Sequence, residues 1–119
     1  MGSRYLTPES TIYRQVEDEL VVIQLDSGQI YYFNPGTERV LDFFRSPRSA
    51  SDFLKTTNLE EKKEEADYFK GFLHTLFDLK LITETEQQGL DPIPSLDYSK
   101  PLFLRKAERT LDEITFLEP

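Results

Sequence analysis

The chain has 119 residues, enough for one compact domain, and it contains no cysteine, which excludes disulfide bonds, thiolate metal ligands and a cysteine nucleophile. Its formal net charge of -8 makes nucleic acid and anionic membranes poor partners, because binding to phosphate groups depends on Lys and Arg. No apolar run is long enough to span a membrane, and the first residues lack the apolar core of a secretory signal, so we expect a cytoplasmic protein.

The first third of the chain predicts an antiparallel meander of three strands. Residues 12–16, 20–25 and 29–33 are short runs rich in β-branched and aromatic side chains. Polar residues separate these runs, and Gly28 supplies the positive φ that the second tight turn needs. Residues 1–11 precede this pattern and are set apart as an N-terminal segment.

Three helices are predicted after the strands. Asn34 or Thr37 is expected to cap the first helix, and Ser49 or Ser51 the second, because their side-chain oxygens can accept the free amide hydrogens of a first turn. The third helix is the longest and runs over residues 61–79. The pattern therefore predicts an α+β domain.

The long helix carries more apolar surface than one core requires. At about 100° per residue, one side collects a first apolar set, Ala66, Phe69, Leu73, Leu76 and Phe77. A neighbouring second stripe consists of Tyr68, Phe72, Thr75 and Leu79. Two explanations remain open: the domain packs on both sides of this helix, or the second stripe forms one wall of a groove that binds a peptide.

No catalytic or metal-binding constellation is evident in the sequence. His74 is the only histidine and falls on the polar face of the long helix, where a solvated side chain is the simplest interpretation. The acidic run around residues 60–65 is typical of a solvated face, and no loop has the spacing of a calcium site. We therefore expect no enzymatic activity, no cofactor and no metal ion.

The C-terminal third changes in character. Residues 84–100 are polar and contain prolines, which predicts an extended linker. Residues 101–119 form a tail with more apolar side chains than a solvated segment needs. Within this tail, residues 110–113 have the spacing of a capping box and predict one helical turn.

Residues 20–34, with the sequence LVVIQLDSGQIYYFN, resemble the hairpin of PqqD-like proteins, and Thr37, Val40 and Leu41 resemble the start of the first helix of that family. The end of the domain is similar to the family's closing pattern at Phe72, Leu73, Leu76, Leu81 and Ile82. The resemblance covers about residues 12–83. The sequence departs from the family pattern at Phe33, Leu41 and Lys80, where Leu, Trp and Gly are usual.

The resemblance implies a winged helix-turn-helix domain over residues 12–83, with a three-stranded antiparallel sheet packed on three helices and no catalytic residues. Members of the family bind the leader segment of a precursor peptide by strand addition. They present that peptide to a modifying enzyme, often a radical S-adenosylmethionine enzyme. Mapped onto this chain, the peptide site comprises the strand edge Gln29, Ile30, Tyr31, Tyr32 and Phe33 and the second stripe Tyr68, Phe72, Thr75 and Leu79.

The tail resembles a peptide ligand in its own right. Tyr98 and Pro101 followed by an aliphatic residue are similar to a leader pattern of lasso peptides. Because this apolar tail belongs to an otherwise acidic domain, we expect residues 98–117 to occupy the groove of their own chain, or of a neighbour in a swapped homodimer. Two alternatives remain open: the tail packs elsewhere on the domain, or it docks on the partner enzyme. The residues expected to dock are Tyr98, Pro101, Leu102, Phe103 and Leu104, the last three as a strand beside residues 29–33, with Tyr98 or Leu104 reaching toward the second stripe.

Two other functions remain open from the sequence. A three-helix unit with a β-wing can read DNA, so a winged-helix transcription regulator is one alternative. The other is a structural protein that oligomerises by exchanging its tail between chains and binds nothing else.

Overall fold

The computed structural model describes residues 3–89 and 91–111, and these residues form an α+β fold. The strands and helices follow in the order β1 (Arg4–Leu6), β2 (Thr11–Val16), β3 (Glu19–Gln24), β4 (Gln29–Phe33), α1 (Thr37–Phe43), β5 (Arg48–Ser49), α2 (Ala50–Thr56), α3 (Lys63–Asp78), β6 (Thr83–Thr85) and β7 (Phe103–Lys106). The expectations for residues 112–119, including the second half of the predicted capping box at residues 110–113, lie outside the described residues.

The predicted meander is present as β2, β3 and β4, which pair in antiparallel register. Alternate residues of β3 and β4 point into the core, as the alternation of side chains along a strand requires. Gly28 has a φ of +76° in the turn between β3 and β4, as expected for a tight turn that needs positive φ. The tail strand β7 adds beside β4 as a fourth strand and gives the order β2-β3-β4-β7, so residues 103–106 pair with the strand beside which residues 102–104 were expected.

The N-terminal segment, which the sequence pattern left aside, forms the centre of a second sheet. In this sheet β1 lies between β5 and β6, antiparallel to both. The threonines that follow β1 are buried and bond to carbonyl groups far along the chain: Thr7 Oγ1 donates to Leu41 O at 2.9 Å and Thr11 Oγ1 to Leu81 O at 2.8 Å. These buried bonds tie the start of the chain to the helices, so the segment belongs to the packed domain.

The helix caps agree with the prediction at α2 and differ from it at α1. Ser49 caps α2 in a capping box with Asp52, each side chain accepting a hydrogen bond from the backbone amide of the other residue. Helix α1 begins after Gly36 without a side-chain cap. Neither Asn34 nor Thr37 caps it, because Thr37 Oγ1 donates to Asn34 Oδ1 at 2.9 Å and Asn34 is engaged by the tail. Asn34 therefore binds the tail instead of capping α1.

One aromatic and aliphatic core joins the meander to all three helices. Phe53 of α2 stacks on Phe69 of α3 with their ring centres 4.0 Å apart, and Phe33 of β4 meets the edge of Phe72 of α3 at 5.9 Å. The largest buried apolar side chains of this core include Leu20, Phe33, Leu41, Phe44, Phe53, Phe69, Leu76 and Leu81. This packing fixes α3 across the inner face of the sheet, beside the edge of β4.

The first apolar set of α3 is buried except at its end. Ala66, Phe69, Leu73 and Leu76 lie in the core, whereas Phe77 is 38% exposed. Phe77 packs against Tyr5 of β1 with ring centres 6.3 Å apart, so its partner comes from the N-terminal segment. At the end of α3, this apolar set therefore contacts the second sheet as well as the core.

Candidate functional site: the edge of β4 and its own tail

The edge of β4 carries an added strand from the tail of the same chain. β7 runs antiparallel to β4, with Tyr31 opposite Lys106, Tyr32 opposite Arg105 and Phe33 opposite Phe103. Leu104 therefore has no partner on β4 and forms a bulge. Beyond the strand, the Ala107 amide donates to Ile30 O at 2.8 Å and the Leu111 amide donates to Gly28 O at 2.6 Å. The tail thus follows β4 along its whole length.

Asn34 continues this pairing beyond the end of β4 with its side chain. Its Nδ2 donates to Lys100 O at 2.7 Å, and its Oδ1 accepts from the Leu102 amide at 2.9 Å. The Asn34 amide also donates to Leu102 O at 2.9 Å. Together the three bonds hold main-chain groups of the tail only, so Asn34 recognises an extended backbone and not a particular side chain.

Phe103 is the aromatic contact between the tail and the inner face of the sheet. Its ring centre lies 5.2 Å from that of Phe33 and 6.4 Å from that of Tyr31. Leu102 and Phe103 also border a cleft of about 370 Å³ whose other wall is α3, at Asp67, Tyr68, Gly71, Phe72 and Thr75. The cleft between the tail and α3 is therefore open beside the Phe103 side chain.

Tyr68 holds the tail from the side of α3. Its hydroxyl donates to Pro101 O, and the Lys100 ammonium lies 4.4 Å from the centre of its ring. Burial raises the pKa of this hydroxyl, which favours the neutral phenol that acts as the donor. Pro101 itself is buried in this contact region.

The segment before β7 lies along the helices and is anchored at several points. Arg48 Nη2 donates to Pro92 O at 3.1 Å, and Arg39 Nη1 donates to Asp97 O at 3.3 Å. A Cβ atom placed on Gly36 would lie 2.7 Å from Ser99 Oγ and 3.0 Å from Ser99 O. The approach of the tail to α1 at this point therefore depends on the absence of a side chain at Gly36.

Tyr98 is partly buried and packs against the core. Its ring meets the edge of Phe53 with centres 6.3 Å apart, and burial raises the pKa of its hydroxyl. That hydroxyl is buried and has no hydrogen-bond partner among the residues that the structure describes. Tyr98 therefore contributes apolar packing to the attachment of the tail, at the cost of an unpaired polar atom.

The outer face of the sheet holds a charged contact. The Arg105 guanidinium lies 4.1 Å from the centre of the Tyr32 ring and makes a two-nitrogen ion pair with the Glu19 carboxylate, in which Nη2 and Oε1 are 3.1 Å apart. The bond with Arg105 lowers the pKa of Glu19, and the same bond raises the pKa of Arg105. The contact joins β3, β4 and β7.

The structure brings most of the predicted site residues to one edge of the domain, with two differences. Tyr68, Thr75 and Leu79 are partly exposed, but Phe72 is only 5% exposed and belongs to the core, because Phe33 packs against it. Tyr98 or Leu104 was expected to reach toward the second stripe of α3, and Leu104 instead occupies the bulge and is 44% exposed. Phe103, one residue earlier, takes the position against Phe33 instead.

Several residues of this edge were not singled out as site residues by the sequence pattern. Asn34 was interpreted as a cap, and Glu19, Gly36 and Arg105 were assigned no binding role. Each acts through a partner more than 60 positions away in the chain, for example 86 positions for Arg105 and Glu19. A local pattern contains no signal for such a pairing.

Other surfaces of the domain show fewer features of a binding site than the edge of β4. A larger open depression of about 740 Å³ lies between β1, α2 and α3, bordered by Tyr5, Asp52 and Lys70 among others, away from β4. His74 pairs with Asp78 on the exposed face of α3, at 3.3 Å. Within residues 3–89 and 91–111, no group of three or more acidic or histidine side chains is placed to hold a metal ion, and no helix has the length and apolarity needed to cross a membrane.

Comparisons of the chain with protein-family models, with curated proteins and with solved structures found no match.

Proposed function

We propose that this chain is a peptide-binding domain, and that it takes an extended peptide as an additional antiparallel strand on β4, beside α3. The observation that carries the proposal is that this edge holds residues 102–106 of its own tail by main-chain bonds, with Phe103 against Phe33. Main-chain bonds to a sheet edge provide affinity, and side-chain contacts provide selectivity, in many peptide-binding domains.

We further propose that the domain is of the winged-helix, PqqD-like type and binds the leader segment of a precursor peptide without catalysing a reaction itself. A separate modifying enzyme, of the radical S-adenosylmethionine type in many members of that family, would then act on the bound peptide. The support is the sequence resemblance over residues 12–83, together with a meander followed by three helices. The tail similarity at Tyr98 and Pro101 points to the same ligand class.

The bound tail has a consequence for this function. A peptide from another molecule must displace the tail, and the covalent link to the domain gives the tail a high effective concentration at its own groove. The four residues of β7 are all exposed, so the strand is held by its main-chain bonds to β4, by the contacts of Phe103 and Arg105, and by the contacts around Asn34 and Tyr68. We therefore propose that the tail acts as a competing ligand within the chain.

A nicked protein tests the proposal without removing any part of the fold. Residues 86–88 are exposed, so a protease site can replace them and be cut after purification. The tail then remains bound only by its contacts, at the concentration of the protein. A fluorescent synthetic peptide of residues 97–111 serves as the probe, and its anisotropy reports binding to the nicked protein.

We expect the labelled peptide to exchange with the tail of the nicked protein in the micromolar range, and not to bind the uncut chain at the same concentrations. A nicked protein that keeps its tail against a large excess of peptide would contradict the function, because β7 would then be a permanent part of the sheet. Size-exclusion chromatography of the uncut chain separates this result from a tail-swapped dimer, which would elute at twice the mass.

A further inference from the structure

We propose that Glu19 and Tyr32 form a subsite for an arginine side chain, and that the peptide ligand of this domain carries an arginine opposite Tyr32. This inference rests on the proposed function and names a feature of its ligand. It is drawn from the contact that Arg105 of the tail makes on the outer face of the sheet.

The two residues of the subsite face the same side of the sheet without help from the tail. Glu19 and Val21 of β3 are two residues apart and therefore share a face. Val21 is the partner of Tyr32 on β4, and opposite residues of an antiparallel pair point to the same side. The meander alone thus places the Glu19 carboxylate beside the Tyr32 ring.

The geometry of the subsite suits a guanidinium group better than an ammonium group. A carboxylate can accept two parallel bonds from the planar fork of arginine, while an aromatic ring accepts the flat face of the same group. Both contacts are present at Arg105, whose side chain is still 55% exposed, with Glu19 at 29%. A lysine ammonium is a compact point charge and cannot make the two contacts in this way.

The bulge at Leu104 decides which tail residue reaches the subsite. Regular pairing from the Phe33–Phe103 pair would place Leu104 opposite Tyr32. Because Leu104 is the extra residue of the bulge, Arg105 lies opposite Tyr32 instead. Phe103 and Arg105 therefore lie on opposite faces of the sheet, although they are only two residues apart. The ligand class is therefore a basic, extended peptide with an aromatic residue, one further residue and then an arginine. Its positive charge also complements the net charge of -8 on the chain.

The experiment uses the nicked protein and a matched series of peptides of residues 97–111. Citrulline, a neutral analogue of arginine with nearly the same shape, replaces Arg105 in one peptide and Arg109 in the control, and lysine replaces Arg105 in a third. Arg109 is exposed and carries the same charge, so the control separates the subsite from general attraction by the acidic surface. Each peptide is titrated against the nicked protein and against the nicked Glu19→Gln variant.

We expect citrulline at position 105 to weaken binding by roughly three- to tenfold, because it removes an exposed cation–π contact and an exposed ion pair. The affinity of the peptide with lysine at position 105 should lie between those of the arginine and citrulline peptides. Citrulline at position 109 should change the affinity by less than about twofold, the size of a single screened surface charge. In Glu19→Gln, the part of the difference between arginine and citrulline at position 105 that comes from the ion pair should disappear, and the part that comes from the contact with Tyr32 should remain.

The outcomes separate the subsite from the function on which it rests. Equal affinities for arginine and citrulline at position 105, in peptides that do exchange with the tail, would overturn the subsite and leave peptide binding intact. Equal losses at positions 105 and 109 would also overturn it, because charge alone would then explain the effect. If no peptide exchanges with the tail, both the proposed function and its subsite fail.

Discussion

Replacing Asn34 with alanine tests how the tail is held, provided that one complication is removed first. The Asn34 side chain makes two bonds to the tail, to Lys100 O and from the Leu102 amide, and it also accepts from the buried hydroxyl of Thr37. Loss of that third bond would weaken the core and obscure the result. The perturbation is therefore Asn34→Ala in a Thr37→Val background, where valine keeps the shape of threonine without the hydroxyl.

The magnitude follows from the two remaining bonds. A net contribution of about 0.5–1 kcal/mol for each of two partly solvated hydrogen bonds gives roughly 1–2 kcal/mol for attachment of the tail. Since about 1.4 kcal/mol corresponds to a factor of ten, the opening equilibrium of the tail should rise roughly 5- to 30-fold.

Amide hydrogen exchange measures this opening at single residues. The Ala107 amide, bonded to Ile30 O, reports release of the tail, and the Leu81 amide, bonded to Leu76 O, reports opening of the core. We expect exchange at Ala107 to accelerate by the factor above while Leu81 is unchanged. Unchanged exchange at Ala107 would refute the role of Asn34 as a clamp, and equal acceleration at both amides would show that the whole domain opens instead.

Two further predictions concern the same edge. Gly36→Ala places a Cβ atom 2.7 Å from Ser99 Oγ and should weaken the attachment of the tail by roughly 1 kcal/mol through overpacking, which is measured as faster amide exchange at Ala107. Gly71→Ala is the control, because nothing lies within 4 Å of its Cβ position. This change should stabilise α3 by about 0.5–1 kcal/mol without affecting the tail. Burial raises the pKa of Tyr68 above its unfolded value, so its contribution to tail attachment is complete below about pH 10 and is lost as the pH rises through the folded pKa. The labelled peptide of residues 97–111 should accordingly dissociate from the nicked protein under alkaline conditions. The Tyr68→Phe variant should bind this peptide more weakly at neutral pH but lose less of its binding as the pH rises, and an identical pH profile for the two proteins would contradict this assignment.

The sequence by itself predicted the elements whose signals are local. The strands of the meander alternate between buried and exposed side chains, and Gly28 marks the turn between β3 and β4, so both are readable from neighbouring residues. The capping box at Ser49 and the long apolar helix are equally local patterns. Helical spacing also singled out Tyr68, which lies beside the tail, although the same spacing could not show that Phe72 is covered by Phe33.

Only the tertiary structure decided how the edge of β4 is built. Whether Asn34 caps a helix or clamps a tail depends on which partner is nearby, and here the partners are 66 and 68 positions away. The placement of β1 in a second sheet and the bulge that puts Arg105 opposite Tyr32 are likewise set by contacts between distant segments. Edge pairing uses main-chain groups that every residue has, so its register is determined by side-chain contacts such as those of Phe103 and Arg105, which exist only once the domain has folded.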